Sequence, residues 1–156
     1  MPRLYAPPMR ARVEVAVFVT RTSDGEVLLL HRSPEHGGYW HVVAGGVEPG
    51  ETAAGAAARE LREETGLVSE IGAGFDAVEY VDPRTKEAAA PPSLHDPEVV
   101  EVAVTCFLVR APHDWEPELD WEHDRHRWCP AEEAYATLRW PGTAQALREL
   151  VTLESR

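Results

Sequence analysis

A chain of 156 residues, 44% apolar and 27% charged, has room for one compact domain, and none of its apolar runs reaches the roughly 18 residues a membrane-spanning helix requires. Its 15 Lys and Arg against 27 Asp and Glu leave a net charge of −12, which argues against duplex nucleic acid, a partner gripped through its phosphates. With no basic and apolar leader at the start and only Cys106 and Cys129 as thiols, residues 1–156 read as a single soluble cytoplasmic domain without a disulfide framework.

Valines at 13, 15, 17 and 19 alternate as in a strand with one apolar face. Ser23-Asp24-Gly25 supplies turn chemistry before the apolar run 27–30, so this region reads as a hairpin. Residues 39–43 are a short aromatic and β-branched strand that ends on Gly45-Gly46. The alanine-rich, proline-free stretch 52–65, closed by Gly66, predicts a helix with a glycine C-cap. Residues 67–81 suggest one or two strands interrupted near Gly72 and Gly74, whereas the proline-studded 82–98 reads as a mobile loop. Further strands are expected at 99–109 and 126–129. Helices are expected at 130–138, opened by Pro130, and at 143–153, capped by Thr143. The order implies an α/β fold with a mixed β-sheet between helices.

The chemistry concentrates in residues 45–67, GGVEPGETAAGAAARELREETGL. At about 100° per residue, Glu60, Glu63 and Glu64 crowd one side of a single helical turn, where like charges repel unless a cation intervenes. Ala54, Ala57, Ala58 and Leu61 form the adjoining stripe, small enough to let the helix pack closely on a sheet. Carboxylates without paired cysteine or histidine favour a hard cation, Mg²⁺ or Mn²⁺. Such a cation would also bridge an acidic protein to an anionic phosphate substrate, and the chemistry suggested is hydrolysis at phosphorus. Gly45, Gly46 and Gly50 allow positive φ and close backbone approach, so that a loop carbonyl could reach the metal. His123, His126 and Cys129 could be drawn as a soft-metal set, but a fourth ligand is missing and carboxylates dominate the region.

Gly45, five residues, Glu51, seven residues, Arg59-Glu60-Leu61, one residue, Glu63-Glu64, one residue and Gly66-Leu67 match every fixed position of the signature of the Nudix hydrolases. The chain resembles that family, and the order of elements resembles its α/β/α sandwich. The resemblance implies cleavage of a diphosphate linkage in a nucleoside diphosphate joined to another group, with Mg²⁺ or Mn²⁺. It implies Glu60 and Glu64 as metal ligands, Glu63 as a further ligand or base, and Arg59 as the partner that orients Glu51. The carbonyl of Gly45 is a further candidate ligand.

Outside the signature, Tyr39-Trp40 and the later Glu122-His123 and Trp128 are similar to bacterial dihydroneopterin triphosphate pyrophosphohydrolases, which also accept dATP-like nucleotides. Asymmetric dinucleoside tetraphosphate hydrolases share the late pattern, which implies Glu122 as an extra metal ligand or base. Arg10 and Arg32 fall where basic side chains contact substrate in the neopterin group. Trp40 could stack on a base or pterin ring, with core packing the blander reading for it and for Trp128 and Tyr80. The expected activity is therefore metal-dependent pyrophosphohydrolysis of a nucleoside or pterin triphosphate, or of a related nucleoside diphosphate derivative. Alternatives are a dinucleoside tetraphosphate or ADP-sugar hydrolase and, in another class, a non-catalytic nucleotide-sensing module. The cysteine and glutamate pair that isopentenyl diphosphate isomerisation would need is in no recognisable place. The expected partner is a small nucleotide-like molecule, with oligomeric state left open.

Overall fold

The strand β1 (Arg10–Arg21) organises the rest of the chain. Its valine alternation anticipates one apolar face, but the structure buries both. Val15, Val17 and Val19 face one side and Ala16 and Phe18 the other, all at most 1% exposed. Helix α1 (Ala53–Thr65) covers the valine side with Ala56, Ala57 and Leu61. Helices α2 (Ala131–Thr137) and α3 (Pro141–Glu154) cover the opposite side with Ala134, Ala144, Ala146 and Leu147. This is the expected α/β/α sandwich. The structure, a computed structural model, describes residues 10–21, 25–91 and 98–154, with side chains from residue 13 onward. Most of the expected turn at 23–25 lies outside the described residues.

Among the described residues the sheet is mixed and has eight strands. Strand β7 (Val100–Ala111) runs parallel to β1, and β5 (Phe75–Asp82) pairs antiparallel with β7. On the other edge of β1, β2 (Val27–Arg32) is in register only at Thr20 with Val27 and then diverges. The vacated edge, Glu14 to Val17, is taken by β4 (Val43–Gly46). After the parting, β2 pairs with the short β3 (Trp40–His41) and along its whole length with β8 (His123–Cys129).

Several boundaries move for identifiable reasons. The aromatic strand expected at 39–43 is two pieces, β3 and β4, because the chain changes partner from β2 to β1 between them. Residues 67–74 form no strand. A Cβ at Gly74 would lie 2.7 Å from Thr105 Cγ2, so the chain passes close to β7 before pairing begins at Phe75. Inside the expected loop 82–98, the strand β6 (Glu87–Ala88) turns back on β5, and residues 92–97 lie outside the described residues. Strand β8 begins at His123 rather than 126, its length set by its partner β2 and not by its own polar sequence.

Thr143 does not cap the last helix, which begins at Pro141. The cap comes from a different strand. Glu79 of β5, only 6% exposed, accepts hydrogen bonds from Gly142 N at 2.9 Å, Thr143 N at 2.7 Å and Thr143 Oγ1 at 2.9 Å. A carboxylate there satisfies otherwise orphaned amides and complements the positive end of the helix dipole. Among the described residues, no helix is long and apolar enough to cross a membrane. Glu79→Ala, which leaves buried amides unpaired, should destabilise the fold by about 2 kcal/mol, read as a lower denaturation midpoint, with Glu79→Gln between it and the parent.

Candidate functional site

Helix α1 has the local signals of a well-terminated helix. Thr52 Oγ1 accepts Gly55 N at 3.0 Å at its start, and Gly66, with φ of 81°, closes its end. Its carboxylates share a side but not an environment: the Glu60 side chain is 15% exposed, Glu63 51% and Glu64 3%. Strand β4 passes directly over this side. Gly45 does not use its freedom of positive φ, which belongs here to Gly50 at 79°. Its need is steric, since a Cβ at Gly45 would sit 2.2 Å from Glu60 Oε1.

Arg59 ties the loop to the helix. Its Nε and Nη2 grip Glu51 at 2.8 and 3.0 Å, Nη2 also donates to the Gly46 carbonyl at 2.9 Å, and Nη1 donates to Glu60 Oε1 at 2.8 Å. Glu63 Oε2 lies 3.4 Å from Nη1. The Arg59 hydrogen bonds, aided by the backbone N–H of Glu48, hold the Glu51 carboxyl down to about 2. The same contacts raise Arg59 above its ordinary value.

Glu64 is the strained member. Burial, then a hydrogen bond and the charge of Glu60, then Asp120, push its carboxyl well above the usual range, while a backbone hydrogen bond from Ala44 works the other way. Its Oε2 is buried without a partner. Its Oε1 lies 3.6 Å from His123 Nε2, also unpartnered, and His123 Nδ1 is fixed at 2.7 Å on Asp120 Oδ1. An orphaned carboxylate oxygen crowded by other carboxylates fits a cation, and an all-oxygen donor set fits a hard one. Among the described residues, no three His, Cys, Asp or Glu side chains already close around a common point. A cation that keeps waters and takes substrate oxygens needs no such cage. The soft-metal set disperses: His126 Nε2 is 3.0 Å from Glu116 Oε2 and Cys129 lies in the core.

A cleft of about 730 Å³ adjoins these groups. Glu14, Gly45, Gly46, Glu60 and Glu122 line part of it, from β1, β4, α1 and the residue before β8. Arg32, Tyr39, His41, Glu79, Lys86 and Trp140 are among the other residues that line it, with valines of β5 and β7 between them. The carbonyl of Glu122 accepts Ser33 N at 2.9 Å, which holds that acidic segment beside the end of β2. Arg32 donates through Nε to the His36 carbonyl at 2.7 Å and lies 5.7 Å from the Tyr39 ring centre.

Of the residues singled out in the sequence, Gly45, Glu60, Glu122 and Arg32 meet on this cleft, with Glu64 buried behind Glu60 and Glu63 on the exposed flank. Trp40 is not among the cleft residues. It packs on the core with Arg125 and Arg127 over its ring at 5.5 and 5.1 Å. Trp128 is likewise held elsewhere, by Glu116 at 3.0 Å. The side chain of Arg10 lies outside the described residues. Sequence reasoning passed over His41 and Trp140. Strand alternation puts Trp40 and His41 on opposite faces, so one of the pair had to turn away. His41 is 8% exposed and pushed down to about 3, by burial first and then by Arg32, His123 and Arg139.

A family model for the NUDIX domain matches residues 10–150. The chain belongs to the Nudix family. Its relatives include the octanoyltransferase of Myxococcus xanthus, 37% identical over 94% of this chain. The chain spans only 38% of that protein's length. The CTP pyrophosphohydrolase of Escherichia coli strain K12 is 32% identical over 77% of this chain and 76% of its own. Among solved structures, the E. coli dihydroneopterin triphosphate pyrophosphohydrolase superposes with a TM-score of 0.73 at 25% identity, covering 90% of this chain and 95% of the other. Two of these similar proteins, the two from E. coli, carry the name of a pyrophosphohydrolase.

The raised Glu64 carboxyl has a stability consequence with a definite sign. Its folded-state pKa lies above the unfolded value, so its contribution is full below about pH 4.5 and is lost as pH rises toward the folded value. With a chelator at pH 8, Glu64→Gln should therefore melt higher than the parent, by roughly 2–4 °C for each kcal/mol relieved. The gap should close by pH 4 in the same thermal scans.

Proposed function

We propose that this Nudix domain, taken as the single domain of residues 1–156, is a metal-dependent pyrophosphohydrolase. Its substrate is a nucleoside or pterin triphosphate, or a related nucleoside diphosphate derivative. The observation that carries the reading is the buried, unpartnered Oε2 of Glu64 beside Glu60, at the edge of a cleft large enough for such a ligand. Glu60 and Glu64 would hold Mg²⁺ or Mn²⁺, with Glu63, Glu122 and the Gly45 carbonyl as further ligands. When bound, the cation offsets phosphate charge and lowers the pKa of an attacking water.

The chain's own groups divide the remaining work. Arg59 fixes Glu51 and the Gly46 carbonyl, so the glycine turn and the helix carboxylates keep one geometry. His123, anchored by Asp120, sits behind Glu64 and limits where that carboxylate can point. Glu63 and Glu122 are the bases nearest solvent and cleft, and either could take a proton from water at its carboxylate. Arg32 and Arg10 would meet the anionic or polar parts of the substrate. Trp40, packed away from the cleft, is left out of this assignment.

The names of the E. coli neighbours, for CTP and for dihydroneopterin triphosphate, support a triphosphate ahead of an ADP-sugar or dinucleoside tetraphosphate. A sensing module has less use for Glu64, a carboxylate held at a cost to stability. Phosphate release with Mg²⁺ should be measured on CTP, dATP, dihydroneopterin triphosphate, ADP-ribose and diadenosine tetraphosphate. At least one triphosphate should turn over, and Glu60→Gln or Glu63→Gln should reduce kcat by about 10²–10³-fold with the fold intact. Saturable nucleotide binding without release on any member would favour the sensor instead.

A further inference from the structure

We propose that the part of the cleft formed by Tyr39, His41, Trp140, Val81 and Val102 is a subsite for the uncharged planar heterocycle of the substrate, with His41 reading its polar edge. The inference rests on the pyrophosphohydrolase reading for the position of the phosphates. It goes beyond that reading in assigning the ring end and its selector.

The cleft sets two aromatic side chains and a row of valines beside the polar Arg32, Glu79, Lys86 and Thr143, an apolar surface for a ring with polar groups at its border. His41 is a further polar group. It is more than nine-tenths buried, it lines the cleft, and its Nδ1 has no hydrogen-bond partner. Buried polar atoms are nearly always paired, so a lone one beside a ligand-sized space marks a missing partner. The other buried polar groups of this lining, Glu79 and Thr143, are committed to each other: the Glu79 oxygens accept from Gly142 N, Thr143 N and Thr143 Oγ1. That leaves the imidazole as the group without an internal role.

The charges nearby fix the class of ring. Arg139 lies 4.5 Å from the Tyr39 ring centre and 5.6 Å from that of Trp140, and Arg32 lies 5.7 Å from Tyr39. Both aromatic rings already carry guanidinium partners, so they do not form a cage for a cationic ligand. Burial first, and then Arg32, His123 and Arg139, disfavour the charged form of the imidazole. A neutral imidazole has one donor and one acceptor nitrogen, the complement of the mixed edge of a nucleobase or pterin. A ring bearing a positive charge, as in an N7-methylguanine, would be opposed by the guanidinium groups of Arg32 and Arg139.

The test uses the full chain, His41→Leu, His41→Asn and, as a second position, Trp140→Leu. Calorimetric binding of CTP, dATP and dihydroneopterin triphosphate is compared with tripolyphosphate, which has phosphates and no ring, and with N7-methylguanosine triphosphate. For His41→Leu we expect affinity for the best ring-bearing ligand to fall about 10–100-fold, with the ranking among rings flattened and tripolyphosphate unchanged. His41→Asn, which keeps a neutral donor and acceptor, should recover most of the loss. Trp140→Leu should weaken all ring-bearing ligands alike. The parent should bind the methylated cation at least about tenfold more weakly than its unmethylated counterpart. Unchanged ring affinities and ranking in folded His41→Leu would overturn the role of His41. An equal loss for tripolyphosphate would reduce it to general packing. If His41→Leu does not fold, the His41→Asn ranking and the Trp140→Leu comparison decide. Because binding is the readout, a parent that hydrolyses nothing would defeat the catalytic reading while these outcomes still judge the subsite.

Discussion

The close approach of α1 to β4 is the constraint from which the site follows. A helix bearing three carboxylates is brought under a strand so closely that position 45 has no room for a methyl group beside Glu60. The alanines of α1 that pack on β1 make this proximity possible, since Ala56 and Ala57 are fully buried against the sheet. From the same proximity, Arg59 reaches both Glu51 and the Gly46 carbonyl, and Glu64 loses contact with water. A longer side chain in the stripe would lift the helix and separate all of these groups together.

The fold was legible where the pattern is local and obscure where a partner decides. Helix α1 was readable to within a residue because its cap, its composition and its closing glycine lie within one stretch. The signature residues were legible for the same reason, and the Arg59 and Glu51 pair, implied only by the resemblance to the family, is bidentate in the structure. By contrast, the cap of α3 is a carboxylate 63 residues earlier in the chain. The length of β8 is set by β2, and the exchange of partners that splits β3 from β4 has no sequence mark. In the site, Trp40 drew attention as an aromatic while its neighbour His41 faced the cleft. Which of two adjacent strand residues turns inward depends on the sheet's surroundings and not on either residue.

Three of the buried polar atoms left without partners among the described residues, Glu64 Oε2, His123 Nε2 and His41 Nδ1, belong to residues in or directly behind the cleft. Such atoms weaken a fold. Their gathering around the cleft, with a well-filled core on both faces of β1 elsewhere, sets this region apart from those that serve packing. In the proposed reading the carboxylates would serve the phosphate end and the imidazole the ring end, so charge and shape recognition would occupy different elements.

The parting of β2 from β1 beyond Thr20 has an evolutionary consequence. Because that opening is drawn by the backbone, with β4 inserted into it to carry the glycines, the placement of Gly45 and Gly46 over the helix carboxylates rests on strand pairing, while Tyr39 and Trp140 reach the cleft from connections between elements. The junction of α2 and α3 and the tip of the β2–β3 connection can therefore drift in sequence and alter which guest is welcomed. The acidic helix inherited beneath them keeps its chemistry intact, and descent can diversify taste without relearning the reaction.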